Sequence, residues 1–394
     1  MTETLPGWCA TPVTPALLRG WVELEDTPHG ILPHRLPAWA RAQWADPQLL
    51  MVEQQPAGVR LRFCTAATIV ELEALPTKRV YAGMPPRPDG IYDLVIDGRL
   101  AGQGSIPEGK IVRIDLARWS AGGRPADHAE AGTPGTLRFD GLPAGDKTVE
   151  IWLPHDEATE LVALRGNAPL APCPERARTR WLHHGSSISQ GSNARHPTGT
   201  WPAVAAALAG VDLLNLGFGG SALLDPFVAR TIRDQAADRI SLKLGINLVN
   251  MDAMRLRAFG PALHGFLDTI REGHPATPLL LVSPLFCPIH EHRPGPSVPV
   301  FEDGRLRFQA AGSEAEIASG KLTLALIRDT LGSIVAQRRA SDPNLHYLDG
   351  LGLYGEADHA RLPLPDGLHP DGAAQALIGE RFAAVAFGPG RPFT

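Results

Sequence analysis

The stretch Trp181-Leu-His-His-Gly185-Ser-Ser187-Ile-Ser-Gln-Gly191 marks the point at which the chain changes character. A short strand-like run ends there at a glycine, and two serines open the segment that follows. Downstream, near-continuously apolar runs alternate with segments of helical period, which is typical of a parallel sheet covered by helices on both faces. The second half of the chain is therefore predicted to be a doubly wound α/β domain.

The elements of this half can be placed from their patterns. The predicted strands are Trp181–His184, Val211–Leu216, Ile240–Leu244, Leu279–Ser283 and Leu345–Leu348. The predicted helices are Trp201–Leu208, Pro226–Ala236, Leu256–Arg271, Lys321–Arg338 and Ala373–Ala384. A Pro- and Gly-rich segment from Phe286 to Ala318 interrupts the alternation, and loops of such length are usually functional or disordered. We therefore expect either a lid over a site or a mobile excursion without a role.

Upstream, the pattern is one of short β-prone runs separated by turn residues. The predicted strands are Val59–Phe63, Ile69–Leu72, Ile91–Ile96, Lys110–Leu116 and Val149–Leu153. This spacing predicts an antiparallel β-sandwich, and the Trp- and Pro-rich first fifty residues are expected to form an irregular arm on it. Prolines near Ala171–Glu175 form a linker, so we predict a β-sandwich domain at residues 1–172 and an α/β domain at residues 178–394.

The composition is that of a globular protein. Hydrophobic residues make up 44% of the 394 residues and charged residues 20%. The 37 Lys and Arg against 42 Asp and Glu give a net charge of −5 without a dense basic block, so nucleic acid is not an expected partner. Because no signal-peptide pattern and no membrane-length apolar run is present, the protein is predicted to be cytoplasmic and not to bind membranes.

The four cysteines, Cys9, Cys64, Cys173 and Cys287, are far apart and form no Cys-x-x-Cys pair. Neither a zinc site nor a disulfide framework is expected from this spacing, and all four are predicted to be thiols.

No cofactor is expected either. His290 and His292 could bind a metal ion, but no third ligand stands at a suitable spacing, so no metal site is predicted. The chain also lacks a Gly-rich phosphate loop that ends in Lys-Ser or Lys-Thr.

Polar residues cluster where ligands bind an open α/β sheet, beyond the carboxyl ends of the strands. Ser187 follows the first strand, and the Gly-rich turn Asn215–Gly220 follows the second. Asn247 follows the third strand and offers an amide, a suitable donor to a developing oxyanion. Asp366 and His369 precede the last helix at a spacing that brings the carboxylate to Nδ1 of the imidazole. The other ring nitrogen is then free to take a proton from a serine hydroxyl.

Each fragment also has a structural explanation. Ser187 could cap a helix, the glycines could serve a turn only, and Asn247 could bond its own backbone. Asp366 could likewise cap the last helix, with His369 at the surface. The order of the fragments and their common position at strand ends favour a functional site.

In these motifs the chain resembles the SGNH hydrolases, also called the GDSL family of esterases and lipases, from Trp181 to Phe387. The matching blocks are Gly185-Ser-Ser187 with Gly191, Asn215–Gly220, Gly245-Ile-Asn247 and Asp366–His369. The resemblance implies a three-layer α/β/α catalytic domain of the flavodoxin-like type.

It also implies a role for each motif residue. Ser187 is the expected nucleophile, His369 the general base and Asp366 the residue that orients His369. The expected oxyanion hole consists of the N–H groups of Ser187 and Gly220 and the side chain of Asn247.

The chain departs from the family pattern at two positions. Ser186 replaces the usual Asp of the first block, and Leu248 replaces the Asp that commonly follows the Asn of the third. Neither position holds a reacting group, so the departures bear on packing and substrate class. The N-terminal sandwich is similar, on Gly90-Ile-Tyr-Asp-Leu94, to a jelly-roll-like accessory domain found ahead of some bacterial SGNH enzymes.

The implied function is a serine esterase that cleaves an O-acyl ester of a small alcohol, sugar or natural product. An acyltransferase that passes the acyl group to an acceptor hydroxyl needs the same triad, and that alternative stays open. A non-catalytic carbohydrate-binding protein is a third possibility, which the intact Ser187, Asp366 and His369 disfavour. His183 and His184, beside the nucleophile, are expected either to line an acyl pocket or to close the strand.

Overall fold

The computed structural model describes residues 8–82, 84, 86–115, 130–174, 178–302 and 305–394. These residues divide into two compact units. The first comprises the described residues up to Arg41, those from Ala45 to 174, and His196–Thr198; the rest form the second. The assignment of residues 1–172 as an accessory domain and 178–394 as a catalytic domain stays a prediction. Within the described ranges, no helix has the length and apolar character to span a membrane.

The first unit contains a seven-stranded and a five-stranded sheet. Its strands β1 to β12 are Cys9–Thr11, Leu18–Arg19, Glu23–Asp26, Ile31–His34, Arg60–Thr65, Ile69–Tyr81, Ile91–Ile96, Arg99–Ser105, Lys110–Ile114, Gly135–Asp140, Lys147–Trp152 and Ala158–Gly166. The path of the first sheet is β10-β6-β12-β4-β3, with β1 on β12 and β9 on β6, and the order of the second is β2-β5-β11-β7-β8. Two short helices, α1 at Ala38–Gln43 and α2 at Pro47–Glu53, lie between β4 and β5 in the sequence.

The two sheets enclose one core. Buried side chains of β5 and β11, such as Phe63 and Ile151, join those of β6 and β12, such as Leu72 and Leu164, in a single apolar cluster. Strands such as β10 alternate strictly between buried and exposed positions, as a sandwich requires. The predicted β-sandwich is therefore confirmed.

Two expectations for this unit are corrected. The first fifty residues are not an irregular arm, because β1 to β4 pair within the sheets. The sheet is not purely antiparallel, since β9 runs parallel to β6. Leu116, predicted to end a strand, lies outside the described residues.

The prediction of four thiols is wrong for two cysteines. Cys64 on β5 and Cys173 form a disulfide with Cα atoms 5.0 Å apart, whereas Cys9 and Cys287 are free. The partners are 109 residues apart in sequence, so no local spacing rule could pair them. The backbone bridge between Cys64 and Ala171 brings the second cysteine to the first.

The second unit is a doubly wound parallel sheet, as predicted. Its strands and one additional hairpin, β13 to β19, are Arg180–Gly185, Asp212–Gly217, Arg239–Lys243, Leu279–Val282, Ser297–Glu302, Arg305–Ala310 and Leu345–Leu348. The order β14-β13-β15-β16-β19 is parallel throughout, which is the flavodoxin-like arrangement. The helices α3 to α10 are Ser187–Gln190, Trp201–Ala209, Pro226–Asp234, Ile246–Asn250, Leu256–Gly273, Leu324–Arg338, Glu356–Arg361 and Gly372–Phe387.

Helices cover both faces of this sheet. On one face Trp181 of β13 stacks on Phe382 of α10 and contacts Trp201 of α4. On the other face His184 of the same strand stacks on Phe266 of α7. Successive residues of the strand thus face opposite layers, which explains why the whole strand from Trp181 onward is buried.

The segment from Phe286 to Ala318 is not a structureless excursion. It contains the antiparallel hairpin of β17 and β18, followed by a 3-10 turn at Glu314–Ser319. Whether the segment acts as a lid stays a prediction.

Candidate active site

The predicted nucleophile lies on a tight turn between β13 and α3. Ser187 is the first residue of α3, which Ser186 caps by accepting a hydrogen bond from the Ile188 N–H at 3.4 Å. Gly185 is required here, because a Cβ at this position would lie 2.3 Å from Oγ of Ser189. The turn therefore presents Ser187 at the carboxyl edge of the sheet.

Ser187, His369 and Asp366 form one hydrogen-bonded chain. The Ser187 hydroxyl lies 2.9 Å from Nε2 of His369, and Nδ1 of His369 lies 2.7 Å from Oδ2 of Asp366. The other carboxylate oxygen accepts the N–H groups of Leu368 and His369 at 2.9 and 2.7 Å. Burial works against the charged form of Asp366, but the bonds from His369 and Leu368 hold its pKa below the usual value. An ionised Asp366 orients the imidazole with Nε2 toward the serine.

The buried side-chain amide of Asn247 is bonded through its oxygen only, as far as the described residues show. Oδ1 of Asn247, in α6, accepts the N–H of Ala222 at 3.1 Å, which sets the orientation of the amide. Its Nδ2 is buried and has no partner among the described residues. Gly220, which stands two residues before Ala222, has φ of +73°. Orphaned buried donors are rare, so this amide is available to an oxygen of a bound molecule.

The Gly-rich turn is tied to the nucleophile helix. The Asn215 amide donates to the Ser189 carbonyl and accepts the Gly217 N–H, both at 2.9 Å. The side-chain oxygen of Gln190 accepts the N–H of Gly219 at 2.8 Å. These bonds connect the end of β14 to α3, so Asn215 supports the turn rather than a substrate.

The two histidines beside the nucleophile are embedded in the sheet. Nδ1 and Nε2 of His183 lie 2.7 and 2.8 Å from the hydroxyls of Ser241 and Ser189, and burial lowers the pKa of this histidine. Nδ1 of His184 lies 2.7 Å from the carbonyl of Leu216. Since both rings are buried, the structure favours the closing of the strand over the lining of an acyl pocket.

His290 of the Pro-rich segment is likewise bonded to nearby residues. Nε2 of His290 lies 2.5 Å from Oγ of Ser297, and Nδ1 lies 3.2 Å from the carbonyl of Arg293. In the part of the chain that the structure describes, no three His, Cys, Asp or Glu side chains are grouped as a metal site.

Asn193 and Phe308, which the sequence did not suggest, touch the Asp366–His369 turn. The Asn193 amide donates to Oδ2 of Asp366 at 3.2 Å and to the His369 carbonyl at 3.4 Å. Phe308 of β18 donates its N–H to the Asp366 carbonyl at 2.8 Å, and its ring lies edge-on to His369 at 5.9 Å. Asn193 has φ of +64°, a conformation that Asn tolerates better than most residues, but no motif marks it.

The site joins a serine, an imidazole and a carboxylate, in this order, at the carboxyl edge of a flavodoxin-like sheet. These are the groups of an SGNH-type serine enzyme. Residues 180–286 match the GDSL-like lipase/acylhydrolase family. The chain therefore carries a GDSL-like lipase/acylhydrolase domain and is an enzyme of this type, and the resemblance seen in the sequence is confirmed.

The solved structures to which the chain is similar extend over both units. The salicylyl-acyltransferase SsfX3 from a tetracycline biosynthetic pathway is 29% identical, with a TM-score of 0.76 and 96% of each chain covered. A GDSL-like lipase from Bacteroides ovatus is 18% identical, with a TM-score of 0.66 and 95% of this chain and 96% of its own covered. A family two carbohydrate esterase from Clostridium thermocellum is 13% identical, with a TM-score of 0.54 and coverage of 83% and 91%. Among curated protein sequences, none matches.

Proposed function

We propose that the protein is a serine esterase that cleaves an O-acyl ester of a small alcohol, sugar or natural product. The observation that carries the proposal is the hydrogen-bonded chain from Ser187 through His369 to Asp366, beside the unpartnered amide of Asn247. Ser187, His369 and Asp366 are the proposed triad, and Asn247 with the N–H groups of Ser187 and Gly220 is the proposed oxyanion hole.

The first half of the reaction transfers the acyl group to the enzyme. Oγ of Ser187 attacks the ester carbonyl carbon while Nε2 of His369 takes its proton, and the carbonyl oxygen becomes an oxyanion next to Asn247. When this intermediate collapses, the bond to the alcohol oxygen breaks and His369 gives its proton to that oxygen. Asp366 stabilises the imidazolium that exists between the two proton transfers.

The second half releases the acyl group. A water molecule attacks the acyl-serine, His369 takes the proton of the water, and the collapse of the second intermediate returns a proton to Oγ of Ser187. The products are the free alcohol and a carboxylic acid, and no cofactor takes part in either step.

An acyltransferase is the second candidate, and the likeness to a salicylyl-acyltransferase over 96% of both chains favours it. The chemistry differs only in the second half, where an acceptor hydroxyl replaces water and a new ester forms. The partners in either case are a small acyl ester and, for transfer, an acceptor alcohol. A cytoplasmic location stays part of the proposal, and the Cys64–Cys173 disulfide argues against it, because cytosolic disulfides are rare.

The test measures turnover of p-nitrophenyl esters from acetyl to octanoyl, with and without added alcohols, for the unmodified chain and for Ser187→Ala. The proposal expects turnover that the substitution abolishes, and labelling of Ser187 by a fluorophosphonate. The ratio of new ester to acid in the presence of alcohols decides between transfer and hydrolysis.

A matched control is Ser192→Ala, which removes a nearby hydroxyl just beyond α3. It should retain turnover and labelling. If the unmodified protein neither turns over any ester nor reacts with the fluorophosphonate, the proposed nucleophile is wrong.

A further inference from the structure

The hairpin of β17 and β18 has an apolar face. In its register Pro299 is opposite Phe308, Phe301 is opposite Leu306, and Ala310 pairs with the first residue of β17. Residues that pair directly, and those two positions apart, project to the same side of a ribbon. Pro299, Phe301, Leu306, Phe308 and Ala310 therefore share one side, which we call the apolar face.

The opposite side of the hairpin is mainly polar, with Val298 and Val300 as its apolar residues. Glu302 lies 3.5 Å from Arg307 in an ion pair and accepts a hydrogen bond from Gln309 at 3.0 Å. Val298 also lies on this side and is 37% exposed. The two sides of the hairpin therefore differ in composition, and the apolar residues are concentrated on the apolar face.

The described residues cover the apolar face only in part. Phe301 is 58% exposed, Pro299 is exposed as well, and Leu306 and Phe308 are half-buried. A two-stranded hairpin is only marginally stable by itself. An exposed aromatic side chain does not help to stabilise it, so the stability of the hairpin does not explain the presence of Phe301. Contiguous exposed apolar surface commonly marks a binding site.

This face begins at the candidate active site. The Phe308 ring meets the imidazole of His369 edge-on, with ring centroids 5.9 Å apart at 77°. The N–H of Phe308 donates to the Asp366 carbonyl at 2.8 Å. This bond holds β18 against the turn that carries Asp366 and His369. The apolar face therefore continues outward from the imidazole that exchanges protons with the substrate.

The position relative to His369 identifies the part of the ester that meets this face. His369 must donate its proton to the alcohol oxygen, so that oxygen lies next to the imidazole. The carbonyl oxygen has a different proposed partner, the unpartnered amide of Asn247. Groups attached to the alcohol oxygen therefore extend along the flank of His369, where Phe308 lies.

We propose that the apolar face binds the alcohol part of the ester, and that this alcohol carries an apolar ring system. The inference rests on the proposed function and specifies its substrate class. A sugar fits this face poorly, because its hydroxyls would lose water without gaining partners from Pro, Phe, Leu and Ala side chains. The one hydroxyl on this side of the described hairpin, that of Ser297, is bonded to His290.

The experiment compares acetate esters of primary alcohols whose leaving-group acidity is similar. The probes are ethyl, 2-cyclohexylethyl and 2-(1-naphthyl)ethyl acetates and a 6-O-acetyl methyl glucoside. We expect kcat/KM of the unmodified enzyme to be about tenfold or more higher for the two ring-bearing alcohols than for ethyl or sugar acetate. Phe308→Ala should reduce this ratio to within about threefold, whereas Phe308→Leu should keep most of it.

The matched control is Val298→Ala, which removes apolar surface from the opposite side of the same hairpin. It should leave the ratio unchanged. Phe301→Ala, further along the apolar face, should lower the ratio for the naphthyl ester and provides the second variant if Phe308→Ala does not fold.

Three results would overturn the inference. In the first, the unmodified enzyme is labelled at Ser187 but shows no preference for ring-bearing alcohols. In the second, Phe308→Ala lowers kcat/KM equally for all four esters. In the third, Phe308→Ala changes the preference for the acyl chain and not the preference for the alcohol. The first leaves the proposed function intact. Absence of both labelling and turnover refutes the proposed function, and the inference with it.

Discussion

The side-chain amide of Asn247 has a hydrogen-bond partner for its oxygen but none, among the described residues, for its nitrogen. This indicates that the nitrogen binds a ligand. The oxygen is held by the Ala222 N–H at 3.1 Å, while Nδ2 is buried without a partner among the described residues. Leaving a buried donor unpaired costs about 1–3 kcal/mol, which a protein tolerates where a ligand supplies the acceptor. An oxyanion hole needs an N–H donor that is held in place and is free to bond the substrate oxygen. The Asn247 amide meets both requirements, because its bonded oxygen fixes the orientation of its nitrogen.

Replacing Asn247 by Ala should therefore lower kcat by about 100- to 1,000-fold, because one donor to the developing oxyanion is lost. KM should change little, since the donor acts on the transition state. Steady-state kinetics with a p-nitrophenyl ester measure both constants. The control is Asn250→Ala, at the other end of α6, which should keep the rate; a rate within a few-fold for Asn247→Ala would remove this residue from the hole.

Lys243, at the end of β15, is buried and has no ion-pair partner among the described residues. It lines a small cavity together with Ile188, Cys287 and Leu368, each of them apolar or neutral. Burial lowers the pKa of Lys243 from 10.5 to about 8. The charged form is therefore disfavoured in the folded state.

Lys243→Met should stabilise the protein at pH 7. The folded pKa is about 8 and the unfolded one 10.5, so the ammonium lowers stability by about 3 kcal/mol below pH 8, where both states are charged. Between pH 8 and 10.5 only the unfolded state keeps the proton, so the penalty fades as pH rises. Urea unfolding at pH 7 and pH 10 measures the difference, and an advantage of Met that grows with pH would contradict the assignment.

At the scale of elements, the turn at Asp366–His369 and strand β18 depend on each other. Gly367 has φ of +81°, and a Cβ there would lie 3.1 Å from the carbonyl oxygen of Phe308. The free thiol of Cys287 donates to the Gly367 carbonyl at 3.4 Å. The turn that carries two proposed triad residues thus contacts both the segment that follows β16 and the hairpin.

Gly367→Ala should lower both stability and activity. The left-handed backbone costs an Ala about 1–2 kcal/mol, and the added methyl group displaces β18 from the turn. Because Asp366 and His369 lie on this turn, we expect kcat to fall by more than about tenfold. Thermal unfolding and ester hydrolysis measure the two effects. Gly352→Ala, at a position where a Cβ meets open space, is the control and should be near neutral.

At the scale of the whole molecule, the Cys64–Cys173 disulfide closes a long loop within the first unit. The loop spans 109 residues and includes strands of both sheets. Cross-linking such a loop restricts the unfolded chain, an effect that grows slowly with loop length.

The double variant Cys64→Ser and Cys173→Ser should lower the free energy of unfolding of this unit by about 2–5 kcal/mol. Denaturant unfolding of the oxidised protein, with and without dithiothreitol, measures the change. Cys9→Ser, which removes a free thiol, should have little effect. If dithiothreitol destabilises the double variant as much as the unmodified protein, the disulfide is not the cause.

Much of the fold and of the candidate site was predictable from the sequence, because the signals are local. The apolar runs of β13 to β16 and the helical periods between them follow from burial on both faces of a sheet. Ser187, Asn247 and the pair Asp366 and His369 each follow or precede an element that periodicity locates. A parallel sheet brings such strand ends to one edge, so their proximity follows from topology alone.

The tertiary structure alone decided the contacts between distant segments. No local pattern could pair Cys64 with Cys173, or bring Phe308 and Asn193 to the Asp366–His369 turn. Periodicity reports how a residue relates to neighbours within a few positions, whereas these contacts depend on how whole elements pack. The sequence thus determined which groups reach the edge of the sheet, and packing decided which side chains surround them there.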